Sequence, residues 1–368
     1  MNLLMISGER GIVAGKKTPF WYTLSLLREH FTRIDVICPR TTSASPVLQP
    51  FENVCFHPSP WPLWLQPLWI KRKGEELHQQ HHFDAMTVLE YPPFYNGIGA
   101  KLLFQKTHIP YAIEFHHGEP VRLSLRGKME RMLLRRFAAF DARDASLVRV
   151  VNPAVGETLM QWGVPRHKTK VVSSLYLDLQ SFKSDPNIMK QYDVVFCSRL
   201  VAGKGFSELI EALRAIPQAT LLVIGDGPKR ASFASLVRDS GMSEQVTFKG
   251  WISSNTELAN TLQTARMLVM NSWSEGNPRV AAEAMACGMP VIATKVGLMP
   301  QLIVSGENGL LIGLSVKELG DALQLLLQNA ALRERMSHAA PAAVAAFGNS
   351  EGIATYATFL RSLSSSAS

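Results

Sequence analysis

The stretch SWSEGNPRVAAEAMACGMPV (272–291) lies between two short apolar runs, RMLVMN (266–271) and VIAT (291–294), and this arrangement restricts the fold more than any other part of the chain. Runs of that length read as buried strands and the segment between them as a helix, which makes a βαβ unit. Asn277 suits the N-cap, Pro278 the first helical position, and Gly288 followed by Pro290 a helix stop. A helix N-terminus, with free amides and a positive dipole end, is thereby set at the carboxyl end of a strand, where open α/β sheets bind ligands. Two carboxylates flank it: Glu275 in the loop ahead and Glu283 about one and a half turns inside.

The alternation recurs along the chain. NLLMIS (2–7), RIDVIC (33–38), NVCFHP (53–58), DAMTVLE (84–90) and PYAIEFH (110–116) read as strands, and YDVVFC (192–197), ATLLVIGDGP (219–228) and QVTFKGWI (245–252) open a second series. Strands alternating with helices predict parallel sheets covered on both faces. The 368 residues suit two domains of about 180 each. A hydrophobic share of 46% against 18% charged excludes a disordered chain. Cys38, Cys55, Cys197 and Cys287 lie far apart with no CxxC pair, which argues against a disulfide framework or a zinc ribbon. No run reaches the ~18 apolar residues of a spanning helix, and MNLLMISGERG has too short an apolar core for a signal peptide, so a cytoplasmic location is expected.

The formal charge of +8 is unevenly spread: residues 1–180 hold 22 Lys and Arg against 15 Asp and Glu, the remainder 16 against 15. Without an aromatic-interleaved basic stripe, a finger or a helix-turn-helix pattern, no nucleic-acid partner is expected. An anionic membrane surface or a phosphate-bearing acceptor fits the basic first half. Three segments there each carry two readings. SPWPLWLQPLWIKRK (59–73), with three of the seven tryptophans, is either a proline-broken loop packed on its domain or an interfacial anchor. The run 121–150 has eight Arg and Lys, with Met129, Met132, Leu133 and Phe137 at helical spacing, and its basic face is either solvated or in contact with an anionic acceptor or lipid. His78, His81 and His82 share a helix face and read as solvated rather than as a metal site.

Glu-Gly-x-Pro followed by Glu-Ala-Met-Ala-x-Gly-x-Pro-Val, from Glu275 to Val291, resembles the paired-glutamate signature of the retaining family 4 glycosyltransferases. Arg199 and Lys204 in SRLVAGKGF are similar to the family's Arg-Leu-x-x-x-Lys-Gly, and LMQWGVPRHKTKVV (159–172) resembles its run into the interdomain linker. The resemblance implies the GT-B fold, an α/β architecture of two Rossmann-like domains facing each other across a cleft. It implies an acceptor-binding domain over 1–178, a nucleotide-sugar domain over 191–345 and a helix over 346–361 crossing back to the first domain; the polar stretch LQSFKSDPNIMK reads as the linker, 179–190, and SLSSSAS as a disordered tail over 362–368.

The implied activity is retaining, metal-independent transfer of a sugar from a nucleotide-diphosphate sugar to a hydroxyl of a glycan or lipid-linked acceptor, in bacterial cell-surface polysaccharide or lipopolysaccharide synthesis. No cofactor beyond the donor substrate is implied. Glu283 would hold the ribose hydroxyls and Glu275 those of the sugar, with Gly276 and Asn277 in the same donor loop. Arg199 and Lys204 would offset the pyrophosphate charge, joined by the amides at Arg279 and Val280 and the loop at Gly15. The turn at Gly250 would hold the base through backbone groups. His116 would meet the transferred sugar or steer the acceptor, with His117 as the alternative. The family's Asn-Gly-Val-Asp is Leu175-Tyr176-Leu177-Asp178 here, and its usual acid before the leucine of the GLMPQL turn is Gln301. A nucleotide-sugar epimerase and a non-catalytic nucleotide-sugar binder are the competing readings. For the transferase, the cytoplasm or the inner face of the membrane is the expected location.

Overall fold

The computed structural model describes residues 1–41, 43, 45–91, 93–116 and 125–365, with side chains described throughout except at 125–131, 134 and 365. Two compact units emerge: one holds the described residues up to Tyr176 together with those from Ser350 on, the other Leu177–Asn349.

The first unit contains β1 (Asn2–Ile6), α1 (Pro19–Leu27), β2 (Arg33–Cys38), β3 (Val54–Pro58), α2 (Gln66–His81), β4 (Ala85–Leu89), α3 (Tyr95–Thr107), β5 (Tyr111–Phe115), α4 (Leu125–Ala142), β6 (Leu147–Val150), α5 (Pro153–Gln161) and β7 (Thr169–Val171). Its sheet is parallel, in the order β3-β2-β1-β4-β5-β6-β7. Because strand side chains alternate, Leu4, Ile6, Met86, Val88 and Ile113 pack on one face against α2, α3, α4 and α5. Leu3, Met5 and Val36 pack on the other against α1 and the last helix of the chain. The apolar stripe expected along 121–150 is only partly a buried one. Phe137 stacks on Phe94 at 5.0 Å, but Met132 and Leu133 are exposed, and Arg149 is buried on β6 rather than part of a basic surface.

The second unit contains β8 (Tyr192–Cys197), α6 (Phe206–Leu213), β9 (Leu221–Ile224), α7 (Arg230–Asp239), β10 (Val246–Gly250), α8 (Asn255–Gln263), β11 (Ala265–Met270), α9 (Arg279–Ala286), β12 (Val291–Thr294), α10 (Met299–Leu302), β13 (Leu310–Ile312), α11 (Val316–Gln328) and α12 (Ala330–Val344). Its sheet, also parallel, runs β10-β9-β8-β11-β12-β13. The stretch expected as a linker, 179–190, packs onto this unit: Phe182 is buried, the Asp185 amide donates to Gln263 Oε1 at 2.7 Å, and Lys190 Nζ to the Gln263 carbonyl at 2.7 Å. The break between units falls at Tyr176/Leu177.

The final helix, α13 (Asn349–Ser365), returns the chain to the first unit. Ile353, Tyr356, Leu360 and Leu363 recur at helical spacing and are buried in its core. This corrects the expectation of a disordered tail from 362: the helix continues to Ser365 because Leu363, fully buried, belongs to the same apolar stripe. Residues 366–368 lie outside the described residues.

Candidate functional site

In the second unit the chain winds outward from β8 through β9 to β10, then returns to place β11 on the other side of β8. The carboxyl ends of β8 and β11 therefore border a topological switch point, where doubly wound sheets bind ligands. The loop 198–205 leaves one strand end and 271–278 the other, and hydrogen bonds to backbone carbonyls of the first loop join them. Asn271 Nδ2 donates to the Gly205 carbonyl at 2.6 Å and the Trp273 amide to the Gly203 carbonyl at 2.8 Å. Gly205 has φ +79°, and a Cβ there would lie 2.3 Å from the Asn271 carbonyl oxygen, so no side chain fits. Gly297, at φ +55°, plays the same part behind the second loop, where a Cβ would meet the Gly276 oxygen at 2.0 Å. Lys204 Nζ thereby reaches Glu275 Oε1 at 2.5 Å, with Arg199 exposed on the same loop.

α9 begins one residue later than the sequence suggests. Pro278, rather than Asn277, occupies the N-cap, because its ψ of 94° is extended and helical dihedrals start at Arg279. Val280 follows in the first turn. The helix ends in a Schellman motif: the Gly288 amide bonds to the Met285 carbonyl and the Met289 amide to that of Ala284, with Gly288 at φ +68°. Arg279 Nε pairs with Glu283 Oε1 at 2.7 Å along one turn. Burial pushes the Glu283 carboxyl above its ordinary range, opposed by Arg279 and reinforced by the nearby charge of Asp178. Asp178 itself accepts from the Ser181 amide and from Asn255 Nδ2 at 3.2 Å. The Gly250 carbonyl, at φ +88°, accepts from the Gly225 amide at 2.7 Å and ties the turns after β9 and β10 together.

In the first unit Gly15 sits at φ +80° in open space on the loop after β1. Glu9 shapes that loop, accepting from the amides of Gly11 and Ile12 and, at 3.0 Å, from Thr18 Oγ1, so Thr18 holds the loop instead of capping α1 with its side chain. His116 follows β5, and its Nε2 lies 3.0 Å from Glu114 Oε2. His117 lies outside the described residues.

Behind His116 is a buried network that sequence reasoning missed. Arg149 Nη1 donates to Glu114 Oε2 at 2.6 Å, Nε to the Val172 carbonyl, and Nη2 to the Ser173 carbonyl and to the Tyr176 hydroxyl at 2.8 Å. Tyr356 of α13 donates to Glu114 Oε1 at 2.6 Å, and Thr87 Oγ1 donates to the same oxygen. Burial disfavours the Glu114 carboxylate, yet the Arg149 charge and the His116 contact outweigh it and hold the group well below the usual range. The departure from Asn-Gly-Val-Asp thus has a packing reason: Leu175, Tyr176 and Leu177 are all buried, with Tyr176 part of this network.

A second cluster lies at the end of β4. Glu90 accepts from the amides of Tyr91 and Gly97, while Asp141 is 1% exposed and neither of its carboxylate oxygens has a hydrogen-bond partner. A Cβ on Gly97 would lie 2.1 Å from Glu90 Oε2 and 2.7 Å from Asp141 Oδ2, which brings the two acids close enough to repel. Burial lifts Asp141 to about 7 and, with repulsion from Asp141, lifts Glu90 well above the ordinary range. His78 is also explained locally, its Nδ1 accepting from the Phe83 amide behind α2.

Residues 21–174 match the family model described as Glycosyltransferase Family 4, and 179–343 that of Glycosyl transferases group 1. Among solved structures the chain is similar to sucrose-phosphate synthase from Thermosynechococcus elongatus, at 22% identity and a TM-score of 0.83 over 100% of both chains. It is also similar to HepE from Anabaena in complex with UDP-glucose, at 20% identity and a TM-score of 0.77 over 98% of this chain and 100% of that one. These likenesses establish the GT-B fold. Similar sequences include a D-inositol 3-phosphate glycosyltransferase of Arthrobacter, 33% identical over 43% of this chain and 39% of that protein. A lipopolysaccharide core biosynthesis glycosyltransferase, LpsE, of Rhizobium meliloti is 32% identical over 39% of this chain and 42% of its own length. Each alignment thus spans less than half of the relative it matches. With the two domain models matched in order along the chain and a GT-B neighbour covering all of it, the protein belongs to the family 4 glycosyltransferases.

Proposed function

We propose that the second unit binds a nucleotide-diphosphate sugar and that the protein transfers the sugar, with retention of anomeric configuration, to a hydroxyl of a glycan or lipid-linked acceptor. The observation that carries this reading is the meeting of Lys204 and Glu275 at the β8/β11 switch point, with the N-terminus of α9 in the same loop system. A sugar diphosphate presents hydroxyls and an anion a few ångströms apart, and an adjoining carboxylate and ammonium match both. Lys204 keeps N–H donors for a phosphate beyond the one given to Glu275. Arg199 and Lys204 would hold the pyrophosphate with the amides at Arg279 and Val280, Glu275 the sugar hydroxyls and Glu283 those of the ribose. Gly276 and Asn277 shape the donor loop and Gly250 offers backbone groups to the base. For the first unit, Gly15 is assigned to the donor phosphate and His116 to the transferred sugar.

In the proposed step the bond between the anomeric carbon and the phosphate oxygen breaks, the acceptor oxygen bonds to the same face of that carbon, and the acceptor's proton passes to the departing phosphate. Charge growing on the leaving group is offset by the two fixed cations, without a metal or a cofactor. A lipopolysaccharide-core relative, a Mycobacterium tuberculosis relative named for phosphatidylinositol monomannoside, and HepE with UDP-glucose support the donor and acceptor classes. Cell-surface polysaccharide or lipopolysaccharide synthesis, with the protein peripheral on the cytoplasmic face of a membrane, is the setting proposed. Thermal unfolding with UDP, GDP, ADP and TDP tests the donor site. A nucleotide at ~100 times its Kd adds about 2.7 kcal/mol, a shift that Glu283→Ala abolishes; no shift with any nucleotide sinks the reading.

A further inference from the structure

α2 packs through one stripe. Gln66, Ile70, Gly74 and Leu77 recur at helical spacing and are buried. Gly74 and Gly99 let α2 lie against α3, since a Cβ at Gly74 would meet Leu103 at 2.4 Å and one at Gly99 would meet Ile70 at 2.7 Å. The opposite stripe and the tight turn leading into it are left in water: Trp64 is 66% exposed and Leu68 50%. The neighbouring tryptophans behave differently. Trp61 and Trp69 meet edge to face at 5.6 Å, and Trp69 Nε1 donates to the His57 carbonyl at 3.4 Å. One turn beyond Leu68 come Lys71 and the exposed Arg72, whereas Lys73 is taken up by Glu76 at 2.6 Å.

α4 lies on the same face of the sheet as α2 and α3, and it repeats the pattern. Met132 is 58% exposed and Phe140 also exposed, with Arg135 and Arg136 exposed between them. Lys101 of α3 lies 3.8 Å over the Phe140 ring and is taken up by Asp144 at 2.8 Å, as Lys73 is by Glu76. Apolar side chains left in water beside Lys71, Arg72, Arg135 and Arg136, cations with no carboxylate partner among the described residues, thus recur on two helices of one layer, in the half of the chain with 22 basic residues against 15 acidic ones; Arg72 also lies 5.8 Å over the Trp61 ring.

We infer that this outer surface is a docking face for an anionic lipid bilayer, with Trp64 and Leu68 entering the headgroup zone and Lys71 and Arg72 meeting lipid phosphates. The inference deepens the reading above, because a lipid-linked acceptor is met at such a surface. An indole with adjoining Lys and Arg suits the polar-apolar boundary of a bilayer, and charge complementarity selects anionic lipid over a neutral one. Among the described residues no helix is long and apolar enough to cross the membrane, so the contact is interfacial.

The test is sedimentation of the full chain with vesicles of phosphatidylcholine, with and without phosphatidylglycerol, at low salt. The wild type should bind the anionic vesicles only. Lys71→Gln with Arg72→Gln should weaken that binding about 30-fold, two charges each contributing near the lipid surface. Trp64→Ser with Leu68→Ser should weaken it at least about tenfold, while its thermal unfolding and its nucleotide shift stay those of the wild type. Absence of wild-type binding, or equal binding by Trp64→Ser with Leu68→Ser, overturns the inference. So does a dimer in sedimentation velocity that Trp64→Ser dissociates, since a second copy would then cover the face. A nucleotide shift without vesicle binding removes only the docking face, and vesicle binding without a nucleotide shift removes only the donor reading.

Discussion

Asp141→Asn should make the first unit more stable at alkaline pH, and the gain can be worked from the structure. Asp141 is buried on α4 with no donor for either oxygen, against Glu90 at the end of β4. Burial raises its carboxyl from 3.8 to about 7. Between those values the folded protein holds a proton that the unfolded chain releases, so stability is complete below about pH 4 and falls as pH rises through 7. Roughly three pH units at 1.36 kcal/mol each set a ceiling of ~4 kcal/mol for the loss by pH 8. An asparagine keeps the shape, cannot ionise and offers Glu90 a donor. Urea unfolding at a series of pH values, with hydrogen exchange of the α4 amides reporting on the first unit, should find the two proteins nearly equal at pH 4. The variant should pull ahead by several kcal/mol at pH 8. Parallel curves separated by a constant offset would refute the argument, because the proton would then not be bound at this pair.

Other substitutions test the remaining elements. Glu275→Gln should leave thermal unfolding unchanged and lower the rate of sugar transfer about 100-fold or more, measured with donor and acceptor saturating. Arg149→Met strands the Glu114 carboxylate and should cost ~3–5 kcal/mol in urea, part of which Glu114→Gln restores when added; a double variant that costs the sum of the two single ones would mean the pair is not coupled. Leu360→Ala removes a fully buried side chain of α13 and should cost ~2–5 kcal/mol, seen as earlier exchange of the β1 and β2 amides. Gly205→Ala must move the Asn271 backbone and should abolish the nucleotide shift, while an unchanged shift would free the 198–205 loop from its assigned role.

Much of the fold follows from local periodicity alone. Short apolar runs alternating with helical segments specify parallel sheets, because a strand buried on both faces needs helices on both. Proline and glycine punctuation located α9 to within one residue, since proline restricts one helix end and a left-handed glycine closes the other. The cations of the 198–205 loop and the carboxylates of 271–283 were legible as motifs, spaced by chain geometry within one loop or one helix.

What the sequence alone left undetermined depends on which distant segments meet. Local pattern has no term for the pairing of Glu114 with Arg149, 35 residues on, or with Tyr356, 242 residues on, and so Arg149 reads as surface charge. Met132 and Leu133 read as part of one apolar stripe with Phe137, and helical spacing identifies such a stripe without showing whether anything covers it. The chain after 361 reads as a polar tail because Leu363 is one apolar residue among serines, and only the first unit's sheet supplies the surface that buries it. The meeting of Lys204 with Glu275 likewise required β11 to return beside β8, a choice of strand order made by the packing of the whole sheet.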